Sequence, residues 1–544
     1  DQQCAAELRR ARKRGLVPTP RRRIVINHRI CEGCGDCGDK SNCLSVQPLD
    51  TPFGTKTAIH QASCNFDYSC VEGDCPAFME VEVVEGDERQ LLVPPALDEP
   101  PPATISGTVP IRMAGIGGTG VVTAAQVLAT AAMFDGWQVA GLDQTGLSQK
   151  AGPVVSDVVV ADRDITTNLV GQGEAAVLLA FDQLVAASDP VIGVCDPHRT
   201  RVVASTERVP TGSMIGHPEV AFPAAEAVGR LQAAAAEVVA VDAAALAEAT
   251  TGTAAPANIV VLGMACQLGV VPVRPESVRR AIELNGVAVQ ANLAAFEWGR
   301  AAVDAPSRTQ AVLEDHRLAT GARVTVDDPG PELIRRIDGW RLEADLAAEL
   351  VRLTGDLVGH QSHRWAARFL DTLEPLVSAD PGSELTRQAA RSLHKLMAYK
   401  DEYEVARLML LPEATAAVRS AGGKPGRARW LLHPPVLAAL GVRRKVRFGS
   451  WSRPVFALLR HGKRLRGTWA DPFGRPEVRR VERAMIPEFA AALQLLTAGL
   501  DRVDYAEAVR IARLPQQVTG YEELKLRRAA VYREELARSL SLLS

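Results

Sequence analysis

The sequence lacks the features that would assign it to a membrane, secreted or nucleic-acid-binding class. It contains no apolar run of 18 residues and no signal-peptide pattern, so we predict a cytoplasmic protein without a membrane span. The formal net charge of −2 gives no field that would attract nucleic acid or an anionic membrane. At 544 residues the chain is too long for one hydrophobic core, and we expect about three domains.

Cysteine is present but unevenly distributed. Seven of the ten cysteines lie between Cys31 and Cys75, while Cys4, Cys195 and Cys266 stand alone. A secreted disulfide scaffold spreads its cysteines through a small domain behind a signal peptide, and neither condition holds here. The clustering therefore predicts ligation of a metal or a cluster, and the isolated Cys195 and Cys266 are predicted to be buried structural thiols.

The cysteine-rich stretch contains two runs with iron–sulfur spacing. They are Cys31-x2-Cys34-x2-Cys37-x5-Cys43 and Cys64-x2-Asp67-x2-Cys70-x4-Cys75-Pro76. Three cysteines at this spacing can wrap one cubane, whereas a tetrahedral zinc site does not require such a triplet. A zinc ribbon is the alternative interpretation, and the triplet and the closing Cys-Pro argue against it.

The two runs predict two sites, because the fourth cysteine of each bacterial ferredoxin run binds the other cluster. One [4Fe–4S] cluster would be held by Cys31, Cys34, Cys37 and Cys75. A second would be held by Cys43, Cys64, Cys70 and, at the remaining position, Asp67. A carboxylate is a harder ligand than a thiolate, so we expect the second cluster to lose iron easily, to be a [3Fe–4S] centre, or to be absent.

Changes in composition divide the chain into a multidomain α+β protein. Residues 1–23 carry a run of Lys and Arg that is typical of a solvated linker, with a docking strip for an acidic partner as the alternative. The further predicted parts are a cysteine-rich domain at 24–93, a proline-rich linker at 94–110, a Rossmann-like α/β domain at 111–305 and a mainly helical domain at 320–544. Within the α/β domain, 190–194 is among the predicted strands.

A glycine-rich turn, Gly115-Ile116-Gly117-Gly118-Thr119-Gly120, lies between a predicted strand and a predicted helix, and Asp143 ends the next strand. Three interpretations stay open: tight packing alone, binding of a phosphate-bearing or substrate group through Gly115, Gly117, Gly118 and Gly120, or binding of NAD. The following loop adds Gly146, Gln149, Lys150 and Gly152 as candidate pocket residues, although Lys150 could equally be a solvated lysine.

The remaining polar residues show no ligand spacing, and the sequence identifies no catalytic residue. We predict that His394 lies at the surface or caps a helix. The charged residues of 399–404 are predicted to form i,i+4 ion pairs on a solvated helix face.

Together these stretches resemble the large indolepyruvate ferredoxin oxidoreductase family of 2-oxoacid:ferredoxin oxidoreductases. The shared stretches are CEGCGDCGDKSNC, SCNFDYSCVEGDCP, GIGGTGVVTAAQVLA, GLDQTGLSQKAGP and AIELNGVAVQANLAAFEWGR. The resemblance implies a ferredoxin-like domain at 24–93 and a gamma-type domain at 111–305 that helps to wall the substrate pocket. It also implies that 1–23 is the tail of a thiamine-diphosphate domain.

The activity that the resemblance implies is oxidative decarboxylation of an arylpyruvate with coenzyme A, giving acyl-CoA, carbon dioxide and reduced ferredoxin. Thiamine diphosphate and Mg²⁺ would be bound by a partner half, because the sequence has no Gly-Asp-Gly signature for them. Ferredoxin and a second copy of the chain are the other expected partners. Two hypotheses from other classes stay open: a non-catalytic iron–sulfur carrier or scaffold, and an NAD-linked iron–sulfur oxidoreductase.

Overall fold

The computed structural model describes residues 7–8, 11–12, 15–73, 75–83, 91–100, 105–146, 152–216, 220, 222–319, 324–380, 383–433 and 444–541. The chain divides into two compact units. The α/β unit comprises Asp1–Thr19, His60–Asn65 and Glu85–Ala319, and the helical unit comprises Pro20–Ile59, Phe66–Val84 and Thr320–Ser544. Among the described residues, no helix combines the length and the apolar content needed to cross a membrane.

The strands, in chain order, are β1 (Arg22–Ile26), β2 (Val46–Thr51), β3 (Gly54–Ile59), β4 (Phe78–Glu82), β5 (Thr108–Ile116), β6 (Gln138–Thr145), β7 (Pro153–Ala161), β8 (Val177–Ala180), β9 (Arg201–Ser205), β10 (Glu237–Val241), β11 (Arg429–Leu432) and β12 (Val446–Phe448).

The α-helices are α1 (Asp36–Ser41), α2 (Val121–Phe134), α3 (Gln183–Ala186), α4 (Asp189–Ile192), α5 (Gly212–Gly216), α6 (Ala224–Ala234), α7 (Ala243–Thr251), α8 (Ala257–Gln267), α9 (Pro275–Asn285), α10 (Val289–Asp304), α11 (Pro306–Ala319), α12 (Gly330–Gly339), α13 (Ala344–His360), α14 (His363–Ala379), α15 (Glu384–Met397), α16 (Glu402–Met409), α17 (Pro412–Ser420), α18 (Arg453–Leu459), α19 (Glu477–Ala498), α20 (Tyr505–Arg513) and α21 (Glu522–Ser541). Short 3-10 turns lie at Gln61–Ser63, Ser69–Glu72, Pro425–Arg427, Ser450–Ser452, Arg460–Leu465 and Leu514–Gln517.

The α/β unit is built on one six-stranded sheet in the order β10–β9–β8–β5–β7–β6. The first four strands are parallel, and β7 is antiparallel to both of its neighbours. Side chains alternate across β5, so that Ile111 and Met113 join the core on one face and Ala114 joins the core on the other. The alternation of strands and helices therefore predicted the layered arrangement correctly, but not the antiparallel strand.

One predicted strand of the α/β unit is wrong. The segment 190–194 contains the end of α4, in which Pro190 occupies the first turn after Ser188. Proline is favoured in the first turn of a helix because that position needs no N–H donor. The apolar residues of this short segment fit a buried helix as well as a strand, and the proline was the signal to choose between them.

Part of the predicted proline-rich linker is bound to the α/β unit. The N–H of Leu92 donates to Thr250 O at 2.9 Å, and Trp298 Nε1 donates to Leu92 O at 2.9 Å. Arg300 Nη2 donates to Asp98 O at 3.0 Å. The side chains of α10 thus fix residues 91–100 along the unit.

In the helical unit, strands β1 and β4 form one sheet with β11 and β12, which lie more than 340 residues later in the chain. The strand order is β1–β4–β11–β12, and all neighbouring strands are antiparallel. Trp430 of β11 pairs with Met79 of β4. The apolar residues of the cysteine-rich segment, including Ile24 and Phe78, share a core with Leu408. In the structure, the cysteine-rich segment and the helical region are therefore packed as one body, and the boundaries predicted for 24–93 and 320–544 stay predictions.

Amphipathic helices form the second core of the helical unit. Leu346, Leu350, Leu353 and Leu357 of α13 recur every three or four residues and are buried against α14, α15, α19 and α20. This spacing places them on one face of the helix. The predicted helical character of 320–544 is confirmed, and the protein as a whole is of mixed α and β structure.

Candidate functional site

Four cysteines of the helical unit lie together at one end of the β1–β4 pair. Cys31 and Cys34 lie in the loop after β1, Cys37 lies in the first turn of α1, and Cys75 precedes β4. Because β1 and β4 are antiparallel, the end of β1 is beside the start of β4. These four residues are the predicted ligands of the first cluster.

Burial and mutual repulsion disfavour ionisation of these thiols. Burial, and then the charges of Cys31, Cys34 and Cys70, raise the pKa of Cys37 to about 12. Burial also raises the pKa of Cys34, and it raises the pKa of Cys75 well above that of an ordinary thiol, with Cys31 adding repulsion. Their mutual repulsion indicates that these thiols lie near one another.

Backbone N–H groups point at all four thiols. Gly33 and Thr57 donate to Cys31 Sγ at 3.3 and 3.4 Å. Gly33 has a φ of +66°, and a Cβ on it would lie 2.2 Å from Thr55 O, so no other residue fits. The other donors are Asp36 to Cys34, Gly38 to Cys37 and Ala77 to Cys75. Hydrogen bonds to the sulfurs are a feature of protein-bound iron–sulfur clusters.

The predicted second set of ligands is divided between the two units. Cys70 is buried near Cys37, and Cys43 packs at the margin of the same core. Cys64 belongs to the α/β unit, whereas Cys43, Cys70 and Asp67 belong to the helical unit. A second cluster therefore stays a prediction.

Asp67 has a local structural role. Its side chain is exposed, and Oδ1 accepts hydrogen bonds from the N–H of Ser69 at 3.2 Å and from Ser69 Oγ at 3.0 Å. These bonds to the residue two positions ahead hold the backbone just before the 3-10 turn at Ser69–Glu72, whose N-cap residue is Tyr68. The assignment of Asp67 as a cluster ligand is untested.

In the part of the chain that the structure describes, no three His, Cys, Asp or Glu side chains are grouped as ligands of one metal ion. Zinc with Zn–S bonds of about 2.3 Å would hold its thiolates about 4 Å apart. A cubane instead places its four thiolates on four separate irons. We therefore compare the four thiols with the ligands of an iron–sulfur cluster and not with those of a single zinc ion.

The glycine turn joins β5 to α2 as predicted. Gly118 and Gly120 have φ values of +89° and +99°, which other residues rarely adopt. A Cβ on Gly115 would lie 2.9 Å from Val121 Cγ2, so close packing requires this glycine. Turn geometry and packing explain these three glycines.

The second glycine of the turn, Gly117, is tied to the next loop. Its N–H donates to Gly152 O at 2.8 Å and is therefore not available to a phosphate. Gly146 lies at the other end of that loop, directly after β6. The candidate pocket residues Gln149 and Lys150 lie outside the described residues.

The sheet order argues against NAD. Strand β7 lies between β5 and β6, so Asp143 on β6 is two strand spacings, about 10 Å, from the strand that leads into the glycine turn. In dinucleotide-binding folds the acid ends a strand adjacent to the glycine-bearing one. Here Asp143 Oδ1 instead accepts a hydrogen bond from Ser156 Oγ at 2.6 Å.

A buried acid at the adjacent strand end was missed by the sequence analysis. Strand β8 is parallel to β5, and Asp182 follows it. Asp182 is 3 % exposed, its Oδ1 accepts from the N–H of Val185 at 2.8 Å, and its Oδ2 has no partner among the described residues. Burial raises the pKa of Asp182 to about 6. Its position directly after an apolar strand was the signal that could have found it.

Asp182→Asn should stabilise the α/β unit most at alkaline pH. A carboxyl group with a raised folded pKa makes stability fall as pH rises from about 4 through about 6, because the folded state binds the proton more tightly. Asparagine keeps the helix cap and removes the buried charge, so we expect a gain of about 1–2 kcal/mol at pH 8 and a smaller gain at pH 5. Chemical denaturation at both pH values measures it.

The matched control is Asp189→Asn, a nearby carboxylate with an 87 % exposed side chain that pairs with Arg230. It should change stability by less than about 0.5 kcal/mol. Equal gains for Asp182→Asn at both pH values would contradict the assignment of a buried charge.

In the helical unit, the predicted surface position of His394 is wrong. His394 is buried, and its Nε2 lies 3.1 Å from Asp356 Oδ2. Asp356 also accepts hydrogen bonds from Arg29 Nη2 at 2.5 Å and from Arg407 Nη2 at 2.8 Å. These partners lie far apart in sequence, so local spacing could not identify them.

The predicted solvated face at 399–404 is also wrong. Asp401 and Glu404 are 3 % and 2 % exposed. Arg466 donates to both carboxylate oxygens of Asp401 at 2.6 and 2.8 Å, and Arg407 does the same to Glu404 at 2.9 and 2.7 Å. Arginines from the same and from a distant segment thus let these charges be buried.

Two segments match known families. Residues 110–302 match pyruvate ferredoxin/flavodoxin oxidoreductase, and residues 346–538 match a family of unknown function, DUF6537. The indolepyruvate oxidoreductase subunit IorB of Archaeoglobus fulgidus is 28 % identical over 195 residues, which cover 35 % of this chain and 92 % of the relative. The subunit of the same name from Pyrococcus horikoshii is 28 % identical over 200 residues, which cover 35 % and 93 %.

Among solved structures, pyruvate oxidoreductase subunit PORC from Thermotoga maritima matches 36 % of this chain and 96 % of its own, at 19 % identity and a TM-score of 0.26. The keto/oxoacid ferredoxin oxidoreductase gamma subunit from Geobacter sulfurreducens matches 35 % and 96 %, at 23 % identity and a TM-score of 0.26. Residues 110–302 of this chain are therefore similar to pyruvate ferredoxin/flavodoxin oxidoreductase, and about a third of the chain is similar to indolepyruvate oxidoreductase subunits named IorB.

Proposed function

We propose that this chain is the electron-transfer and substrate-pocket portion of an indolepyruvate-type ferredoxin oxidoreductase. With a thiamine-diphosphate-binding half, it would convert an arylpyruvate and coenzyme A to acyl-CoA, carbon dioxide and reduced ferredoxin. The observation that carries the proposal is the proximity of four thiols with backbone N–H donors in a chain whose residues 110–302 match pyruvate ferredoxin/flavodoxin oxidoreductase.

The residues of the helical unit fit a [4Fe–4S] cluster held by Cys31, Cys34, Cys37 and Cys75. When bound, such a cluster transfers single electrons. The chain's own part is to exclude water, since the loop packs on the core around Ile30 and Phe78, and to direct N–H groups at the sulfurs. Both factors set the reduction potential of a cluster.

The proposal includes a second cluster on Cys43, Cys64, Cys70 and Asp67, and it does not specify whether this cluster is a [4Fe–4S] or a [3Fe–4S] centre. Its support is the spacing of the two runs and the buried position of Cys70. Electron paramagnetic resonance of the reduced, reconstituted protein would count the cubanes. Two cubanes with full cysteine ligation would contradict the assignment of Asp67.

The α/β unit would contribute one wall of the substrate pocket. Its candidate residues are the glycines at the carboxyl ends of β5 and β6, Gly118, Gly120, Gly146 and Gly152, together with Gln149 and Lys150. The N-terminus of α2 begins at Gly120 without a side-chain cap, so its N–H groups can stabilise an anionic group of a substrate. We propose this role in place of NAD binding.

The partners in this proposal are the thiamine-binding half with thiamine diphosphate and Mg²⁺, ferredoxin, and a second copy of the chain, in the cytoplasm. Subunit names among the relatives support a multisubunit assembly.

The test is anaerobic reconstitution followed by reduction of methyl viologen. The mixture contains this chain, a thiamine-binding partner, thiamine diphosphate, Mg²⁺, coenzyme A and indolepyruvate, and omission of each component in turn is the control. We expect dye reduction only with the complete mixture. Bleaching of the clusters by NADH alone would instead favour the NAD-linked class, and a protein without iron and sulfide would contradict the proposal.

A further inference from the structure

Three cations from the C-terminal region bind the backbone of three cluster cysteines. Lys400 Nζ donates to Cys31 O at 3.3 Å, and Arg528 Nη2 donates to Cys34 O at 3.0 Å. Lys445 Nζ donates to Cys75 O at 2.8 Å. We call Lys400, Arg528 and Lys445 the cation collar.

The three residues of the collar come from separate places in the helical unit. Lys400 lies between α15 and α16, Lys445 precedes β12, and Arg528 lies in α21. All three fall within 346–538, the segment that matches a family of unknown function. Segments so far apart in sequence therefore converge on one cysteine loop.

The two nearby acidic residues each form an ion pair with a lysine that is not part of the collar. Glu32, the neighbour of Cys31, pairs with Lys525 at 2.8 Å, and Asp36 pairs with Lys40 at 3.0 Å. Among the described residues, neither Lys400 nor Arg528 has a carboxylate within 4 Å. The ammonium group of Lys400 and the guanidinium group of Arg528 therefore place positive charge beside the cysteine loop.

We propose that the cation collar raises the reduction potential of the cluster on Cys31, Cys34, Cys37 and Cys75, and that this is one function of the C-terminal helical region. The inference rests on the proposed function, because it requires the cluster to be bound. Reduction adds one negative charge to a cluster that is already anionic. Fixed cations that bind the backbone of the ligand cysteines stabilise the reduced form more than the oxidised form.

The test compares Arg528→Gln with the matched control Arg527→Gln, which removes an exposed charge from the adjacent position of the same helix. Iron and acid-labile sulfide are measured first, and the midpoint potential is then measured by anaerobic redox titration followed by electron paramagnetic resonance. A single fixed cation beside the cysteine loop should change the equilibrium constant for reduction about tenfold, which is ~59 mV for one electron.

We expect a lower midpoint potential for Arg528→Gln, an unchanged one for Arg527→Gln, and recovery in Arg528→Lys. Lys400→Met and Lys445→Met should each shift the potential in the same direction. Loss of the cluster in Arg528→Gln with retention in Arg528→Lys would also support the role of the charge. Cluster-loaded collar variants with an unchanged potential would overturn the inference and leave the proposed function standing, whereas a wild-type chain without iron and sulfide would overturn the proposed function itself.

Discussion

Cys75→Ala should remove about four iron atoms and four sulfides per chain, one whole cubane. Cys75 is the ligand that comes from the second run, and its thiol lies near Cys31 and Cys34. A cubane with three protein ligands exposes one iron and is readily lost. The measurement is iron and acid-labile sulfide per chain after anaerobic reconstitution, together with absorbance at the blue–violet edge.

Two control variants test whether the loss of iron and sulfide in Cys75→Ala is specific to the first cluster. Cys195→Ala removes a half-buried thiol in the α/β unit and should leave iron and sulfide unchanged. Cys43→Ala should affect only the second cluster if the crossover assignment is right. Equal iron content in Cys75→Ala and the wild type would show that the fourth ligand of the first cluster is another residue.

Asp356→Asn should lower the free energy of unfolding of the helical unit by about 3–5 kcal/mol at pH 7. Its carboxylate is buried between Arg29, Arg407 and His394. Asparagine has nearly the same shape but cannot balance two buried guanidinium groups. Thermal or urea unfolding followed by circular dichroism measures the loss.

The pH dependence of this effect has a definite sign. The two arginines hold the pKa of Asp356 well below its usual range, although burial opposes them. Its stabilisation is therefore complete above the unfolded pKa of about 4 and is lost as pH falls toward the folded pKa. The difference between the wild type and Asp356→Asn should narrow below about pH 4.

The matched control is Asp345→Asn on the same helix, α13. Asp345 has a 67 % exposed side chain and pairs with Arg387 at 2.8 Å, so its substitution should lower the free energy of unfolding far less than that of Asp356. Similar losses for the two variants would mean that burial of Asp356 does not govern the network.

The sequence could predict those features that depend on short spacing. The cysteine runs predicted that four thiols lie near one another because their positions follow from a local loop and one strand pair, whereas their binding of a cluster stays a prediction. The glycine turn was also placed correctly, although its Gly117 N–H proved to bind Gly152.

Features that depend on distant partners could not be predicted. His394 and Asp401 are buried polar residues, and their partners Asp356 and Arg466 lie 38 and 65 positions away. The collar residue Arg528 lies 494 positions from Cys34. The residue type at a single position does not predict such pairs, because a charged side chain is buried only where the fold brings a partner to it.

The pairing of β4 with β11 has a consequence for biosynthesis. About 350 residues separate Met79 from its partner Trp430, and at roughly 5–20 residues per second the ribosome needs on the order of 20–70 s to cover that interval. Until then one edge of β4 lacks its partner strand, and Lys445 and Arg528, which donate to Cys75 O and Cys34 O, are synthesised later still. We therefore expect that a polypeptide truncated before Arg429 would take up no stable iron.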